Sequence, residues 1–305
     1  MFNPDLVSPF PVRYEARFEH AEESEASTEY ALADPPQAPS HGLLRGELRV
    51  LAGLPPALAQ GMFTTPTAYP VVMRLSSIPG DLADASGPTP RCMAIKVVGV
   101  EGARLPGSEG QVTQNFVLIN SPRRAAPSRK GFMAALKSMG SGSHPDTHIV
   151  GETFYSQVPM LHGPYMAKLS VVPISPGMLL LENARLDLHD KPHGLRDAVL
   201  DFFSSHSAEW EVRVQLCTDI DTMPIEDASA VWPEEVSAYL PVARITVPPQ
   251  SAWSEARAAV VDDSWSFNPW QGLAAHRPLG AIMRLRKAAH AQVTQEPKSL
   301  DDLPD

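Results

Sequence analysis

Alternating apolar and polar residues recur in short runs through the middle of the chain, and this pattern predicts β-strands. The clearest runs are residues 43–50, 71–75, 94–100, 115–119, 167–172, 210–217 and 243–247. Within residues 210–217 every second side chain from Trp210 to Leu216 is apolar, as expected of a strand with one buried face. The pattern therefore favours an all-β or mixed core.

Helical spacing of apolar residues appears in a few other segments. It predicts helices over residues 57–61, 131–139 and 194–204, and in the last of these Leu195, Val199 and Phe202 form one stripe. After Val247 the pattern becomes helical again. Residues 279–293 would place Arg286 and His290 on one helix face, one turn apart. The sequence thus predicts an α+β protein with a C-terminal helix that carries an arginine and a histidine.

The two ends of the chain differ from this central part. Residues 1–40 contain an acidic, serine-rich stretch and end in a proline-rich segment at 34–39 that cannot be helical. We expect this arm to lie over the core. Residues 295–305 are acidic and contain proline, which is typical of a loose tail. The predicted division is an arm at 1–40, one domain at 41–294 and a tail at 295–305.

Composition narrows the classes of function. The 31 prolines in 305 residues are about twice the average share of ~5%, which suits short strands and ordered loops. A net charge of −10 argues against a nucleic-acid or anionic-membrane surface, because both need a basic footprint. Cys92 and Cys217 form neither a disulfide framework nor a zinc motif. With no signal peptide or transmembrane stretch in the sequence, we expect a cytoplasmic protein.

The common catalytic and nucleotide-binding motifs are absent from the sequence. It contains none of the usual phosphate-loop, dinucleotide, zinc-protease or serine-hydrolase signatures. His144 and His148 have the spacing of a helical metal pair, but Pro145 favours a polar turn. Glu226 and Asp227 are adjacent, and on a strand they would point to opposite faces. A loop or a helix cap is the better interpretation of that acidic pair.

Several remaining segments resemble one family when they are read in order. They are HGLLRGEL at 41–48, VMRLS at 72–76, RCMAIK at 91–96, NSP at 120–122, VWP at 231–233, FNPW at 267–270 and RKAAH at 286–290. Together they resemble the haem catalases, in particular a short bacterial branch of catalase-like proteins. The resemblance covers about residues 41–290. It implies an antiparallel β-barrel core with flanking helices and a C-terminal helix that carries the proximal position.

The same resemblance implies roles for individual residues around haem b. Arg74 matches an arginine that binds a haem propionate, and Asn120 matches the distal polar partner of peroxide. Arg286 matches the arginine beside the axial ligand. His290 occupies the position of the axial tyrosine and would ligate the iron, as histidine does in globins and peroxidases.

Three positions depart from the family pattern. Gln37 stands where the family has its distal histidine, and glutamine cannot exchange a proton near neutral pH. His41 could replace it only if the arm bends or the strand register shifts. Arg124, with Arg123, stands where phenylalanines wall the haem pocket, so Arg124 either reaches a propionate or leaves the pocket open. The third departure is His290.

These residues lead to two hypotheses about function. The first is a haem-dependent oxidoreductase that acts on hydrogen peroxide or an organic hydroperoxide, with peroxidase-like or hydroperoxide-rearranging chemistry. The second is a catalytically degenerate catalase-fold protein that is haem-free or binds haem without catalysis. A small-molecule peroxide is the expected partner, with no nucleic acid and no membrane. The sequence is also compatible with a homo-oligomer.

Overall fold

A computed structural model describes residues 11–19, 40–77, 90–121, 146–262 and 265–289. Nine strands within these ranges form a single antiparallel sheet. They are β1 Ser40–Val50, β2 Ala68–Ser77, β3 Arg91–Val98, β4 Thr113–Ile119, β5 Phe154–Ser156, β6 Met160–His162, β7 Tyr165–Pro173, β8 Ala208–Leu216 and β9 Leu240–Val247.

The sheet closes into a barrel. Its strand order is β5-β4-β3-β2-β1-β9-β8-β7-β6, and β5 also pairs with β7. The pairing β5–β7 joins eight strands into a ring, and β6 forms a hairpin with β7. A closed ring leaves few unpaired strand edges. The predicted antiparallel β-barrel is therefore confirmed.

Alternate side chains of each strand fill the inside of the barrel. Leu44 and Leu48 of β1, Met73 of β2 and Trp210 of β8 are almost fully buried in one continuous apolar cluster. The residues between them point to the outer face. This alternation determines which polar residues can meet at the candidate site.

All seven predicted strands are present, with ends that differ by a few residues. The sequence pattern missed β5 and β6, because strands of three residues are too short to show a period of two. The predicted helix at 57–61 is wrong: these residues form a turn, and a single 3₁₀ turn follows at Gly61–Phe63. Gly61 has φ +55°, a conformation that ends a helix. A Cβ at Gly61 would also lie 2.3 Å from Nε2 of His276.

The described helices flank the barrel. They are α1 Pro176–Leu179, α2 Gly194–Ser205, α3 Glu255–Val261 and α4 Ala281–Ala289. Helix α2 agrees with the predicted helix at 194–204 and packs Val199 and Phe203 against the barrel core. The predicted helix at 131–139 lies outside the described residues. None of the helices in the described ranges is long and apolar enough to cross a bilayer.

Helix α4 is anchored at its first turn. The Glu226 carboxylate accepts a hydrogen bond from the backbone N–H of Ala281 at 2.7 Å and pairs with Arg284 at 3.0 Å. Glu226 is thus a helix cap, one of the two interpretations of the acidic pair at 226–227. Arg284 also pairs with Glu19 of the N-terminal arm at 2.7 Å.

Residues 11–19 of the predicted arm pack against the barrel. The backbone N–H of Val12 donates to the Cys217 carbonyl, and that of Tyr14 donates to the Pro164 carbonyl, both at 2.8 Å. The remainder of the arm and the predicted tail at 295–305 lie outside the described residues.

Candidate functional site

Polar side chains gather on both faces of the sheet formed by β1–β4. Ser76 pairs with Cys92, which pairs with Ile119, so these three share a face. Ser77 pairs with Arg91, which therefore points to the opposite face, toward the barrel interior. We call the first group the outer cluster, comprising Ser40, Arg74, Ser76, Cys92 and Asp262. The inner cluster comprises Ser77, Arg91, Asn120, Thr147 and Glu152.

Arg74 is the centre of the outer cluster. Its Nε donates to Oδ1 of Asp262 at 2.7 Å, and another guanidinium nitrogen donates to Ser76 Oγ at 3.0 Å. Ser40 Oγ donates to the other oxygen of Asp262 at 2.7 Å. The Arg74 and Asp262 side chains are only 10% and 16% exposed. A charge so deeply buried needs a partner, and Asp262 supplies it within the chain.

The Cys92 thiol is affected by the charges of both Arg74 and Arg286. Burial raises the pKa of the Cys92 thiol to about 11, while the positive charges of Arg74 and Arg286 and a hydrogen bond with Ser76 oppose that rise. The thiol is therefore protonated at neutral pH. Arg286 of helix α4 is therefore near enough to Cys92 for its charge to act on the thiol. Sequence reasoning did not place Cys92 at this site, because the β2–β3 register that sets it opposite Ser76 is not encoded in a local pattern.

An apolar strip lies beside these arginines on the outer face. Arg74 pairs with Ala94, and Ala94 with Val117, so Ala94, Val117 and the nearby Ile119 are on the same side. Val117 is 36% exposed in the middle of a strand pair, which is unusual for a large apolar side chain in this barrel. Ala94 is only 4% exposed, so Val117 is the exposed part of the strip. An apolar strip beside Arg74 suits an apolar molecule with a carboxylate group.

Asn120 belongs to the inner cluster and both ends of its amide are engaged. Its Oδ1 accepts from the backbone N–H of Arg91 at 3.0 Å, and its Nδ2 donates to Oε2 of Glu152 at 2.9 Å. The Arg91 guanidinium pairs with Glu152 and donates to the Thr147 carbonyl. These bonds hold Asn120 on the face opposite to Arg74.

His41 lies between the two clusters at a β-bulge. Ser40 pairs with Ser76 while Gly42 pairs with Leu75, so His41 is an extra residue in β1. This is the kind of register shift that the sequence argument required, but the ring bonds through Nε2 to Ser77 Oγ at 2.8 Å.

The His41 ring is held neutral by its surroundings. Burial, the main cause, and the charges of Arg91, Arg196 and Arg74 together lower its pKa to about 4, and Asp262 partly opposes them. A neutral imidazole at physiological pH keeps a lone pair, yet its hydrogen bond directs one nitrogen to Ser77.

The predicted site residues therefore separate into three sets. Arg74 lies on the outer face, and its charge and that of Arg286 both lower the pKa of the Cys92 thiol. Asn120 lies on the inner face and His41 between the faces. The other three predicted residues, Gln37, Arg124 and His290, lie outside the described residues. No group of three or more potential metal ligands occurs within the described ranges.

Of the two faces, only the outer one has described residues whose chemistry suits haem. On the outer face, Arg74 offers a charge for a propionate and Val117 an apolar contact for a ring, while Ala94 is only 4% exposed. The amide of Asn120 does not match the distal role, because Arg91 and Glu152 already engage it.

Comparison with known proteins gives structural relatives alone. No protein-family model matches the sequence, and no curated protein is similar to it. The structure is similar to a fungal catalase, with a TM-score of 0.57 and 13% sequence identity over 94% of this chain. It is similar to a bacterial catalase with a TM-score of 0.58 and 13% identity over 87%. Catalase A from Saccharomyces cerevisiae gives 0.55 and 13% over 94%.

The chain is shorter than these relatives. The matches cover 66% of the fungal catalase, 58% of the bacterial one and 69% of the yeast one. The similarity includes most of the present chain and therefore extends beyond a shared barrel fragment. At this identity it establishes the architecture alone. The protein has the fold of the catalases.

Proposed function

We propose that this protein is a haem-binding oxidoreductase that acts on hydrogen peroxide or an organic hydroperoxide. The observation that supports the proposal is the outer face of β2–β4. There the charges of Arg74 and Arg286 both lower the pKa of the Cys92 thiol, and Cys92 lies next to the apolar strip of Ala94 and Val117. A haem has the two properties that such a face would recognise, an apolar ring and carboxylates at one edge.

In this proposal each residue on the face has a role in binding. Arg286 would bind a propionate, because a guanidinium group can donate two parallel hydrogen bonds to a carboxylate. Arg74 would do so while Asp262 keeps its Nε in place. The apolar strip would contact the ring and exclude water from it.

His290 would supply the iron ligand. In sequence it follows the last residue of α4 and comes four positions after Arg286. When bound, haem iron supplies the redox chemistry by which a peroxide is reduced.

The polar groups limit how well this chain can assist that chemistry. Peroxide cleavage needs a group that moves a proton between the two oxygens. Asn120 is held by Arg91 and Glu152, and His41 by Ser77. We therefore expect slow peroxidase-like or rearranging chemistry rather than fast dismutation.

The second candidate function is haem binding without peroxide turnover. The engaged amide of Asn120 supports it, since both its oxygen and its nitrogen serve the inner cluster. The two candidates agree on haem binding and differ in peroxide consumption. Hemin-loaded protein that consumes hydrogen peroxide or cumene hydroperoxide faster than free hemin would support the first. Equal rates for the loaded protein and free hemin would support haem binding without peroxide turnover.

Hemin affinity is expected to depend on Arg286. Replacing Arg286 by alanine should raise the Kd for hemin by about tenfold or more, because a charged hydrogen bond contributes ~1.5–3 kcal/mol. The measurement is absorption titration of the purified protein with hemin. Lys287→Ala is the matched control: it removes a positive charge from the same helix, but from a side chain that lies over Trp270. Equal losses in the two variants would contradict a specific role for Arg286.

A further inference from the structure

A cleft opens on the outer face of the barrel. The strands that border it do not belong to the candidate haem site. Its volume is about 420 Å³, and its walls include Tyr155, Lys168, Trp232, Glu234 and Tyr239. Tyr155 belongs to β5 and Lys168 to β7, whereas the outer cluster lies on β1–β3. Three aromatic side chains, an amine and a carboxylate therefore border one cavity.

Lys168 is the unusual member of this set, because its side chain is almost fully buried. The residue is 2% exposed. Its Nζ donates to the Ala230 carbonyl at 2.8 Å and lies 5.1 Å from the centroid of the Trp232 ring. Burial lowers the pKa of this ammonium group to about 8, although Asp227 opposes the shift. Roughly a tenth of the molecules then carry a neutral, nucleophilic amine at neutral pH.

The groups around Lys168 can move protons. The rings of Tyr155 and Tyr239 meet edge to face at 6.0 Å. Burial and the charge of Glu234 raise the pKa of both phenols, so they keep their protons. Across the β7–β8 pair, Gln215 is fully buried, and its Oε1 has no hydrogen-bond partner among the described residues. The cleft thus contains two phenol proton donors and a carboxylate near an amine.

We propose that Lys168 forms a Schiff base with an aldehyde or ketone that carries an aromatic or apolar substituent. The Nζ lone pair bonds to the carbonyl carbon, and the carbonyl oxygen leaves as water with two protons, both of which originate on the amine. A carbon–nitrogen double bond results, without oxidation or reduction, and addition of water reverses the step. Trp232, Tyr155 and Tyr239 would contact the substituent, and Glu234 would disfavour anionic carbonyl compounds.

The test is reductive trapping on the full-length protein without hemin. The protein is incubated with benzaldehyde and sodium cyanoborohydride, and peptide mass spectrometry locates the benzyl groups. The chain has seven lysines, which compete in one tube. Lys168 is expected to react about tenfold faster than Lys191, an exposed lysine paired with Asp187 at 3.0 Å, because part of the Lys168 amine is neutral and the aromatic cleft holds the aldehyde beside it. Equal or slower labelling of Lys168 would overturn the proposal.

Two variants distinguish a cleft reaction from general amine reactivity. Lys168→Met should lose the fast adduct and leave Lys191 labelling unchanged. Tyr239→Phe keeps the aromatic wall and removes one phenol, so labelling of Lys168 should slow several-fold while Lys191 does not change. If Lys168→Met does not fold, the wild-type map and Tyr239→Phe still decide. An unchanged Lys168 rate in Tyr239→Phe would contradict the role of the cleft. Hemin binding is not involved, so the two proposals can fail independently.

Discussion

Replacing Glu152 by glutamine is expected to lower the free energy of unfolding by about 3–5 kcal/mol, the usual cost of breaking a buried ion pair. The Arg91 and Glu152 side chains are 5% and 11% exposed. Thr147 Oγ1 and Asn120 Nδ2 also donate to the Glu152 carboxylate, at 2.5 and 2.9 Å. Glutamine would leave the Arg91 charge buried without a negative partner. Its amide N–H groups would also face Thr147 Oγ1 and Asn120 Nδ2, which both donate hydrogen bonds to the carboxylate in wild type.

Urea unfolding of wild type and variant measures this effect. The matched control is Glu47→Gln, which breaks an ion pair with Arg49 of similar length, 2.6 Å, whose side chains are 50% and 68% exposed. An exposed pair contributes ~0–1 kcal/mol, so the control should unfold close to wild type. If Glu152→Gln and Glu47→Gln shift the midpoint equally, the inner cluster does not stabilise the barrel as described.

Acid is expected to destabilise the protein by several kcal/mol between about pH 6.5 and about pH 4. His162 and His276 are almost fully buried, with ring centroids 5.8 Å apart. Burial lowers the pKa of His162 to about 4 and, with the charge of His162, that of His276 to about 3. In the unfolded chain the pKa of each of these imidazoles is about 6.5.

The sign of the effect follows from these pKa values. Below about pH 6.5 the unfolded chain binds protons that the folded chain does not, so stability is complete above that pH and falls as the pH decreases. One pKa unit corresponds to about 1.4 kcal/mol, so His162 accounts for roughly 3 kcal/mol at the acid end. His41, whose pKa is also lowered to about 4, changes stability in the same direction.

A variant at His162 isolates its part of this dependence. His162 Nε2 bonds to the Leu58 carbonyl at 2.9 Å, and the glutamine of His162→Gln can donate the same bond without titrating. Urea unfolding at about pH 7 and about pH 5 should show a smaller loss of stability in His162→Gln than in wild type. An identical loss in both proteins would show that His162 does not hold a lowered pKa in the fold.

The sequence was most informative where neighbouring residues determine the structure. Alternation predicted every long strand, and the stripe at Val199 predicted α2, because each pattern reflects one buried face. The pattern failed at 57–61, where a left-handed Gly61 ends the turn. The short strands β5 and β6 depend on pairing with distant β7, which a local pattern does not encode.

The candidate site was harder to predict because distant residues complete it. Arg74 pairs with Asp262, which lies 188 residues later in the chain, and Arg91 pairs with Glu152 across 61 residues. The face that Asn120 occupies depends on the β3–β4 register, and a shift of one residue would reverse it. The bulge at His41 changes the alternation at the first strand in the same way.

Titration of the purified protein with hemin, in parallel with His290→Ala, tests the central proposal most directly. Wild type is expected to form a saturable complex with one hemin per chain and a shifted Soret band. His290→Ala is expected to lose that spectrum and to bind hemin far more weakly. A wild-type protein that shows no saturable change would contradict haem binding, and an unaltered complex in His290→Ala would contradict the assigned iron ligand.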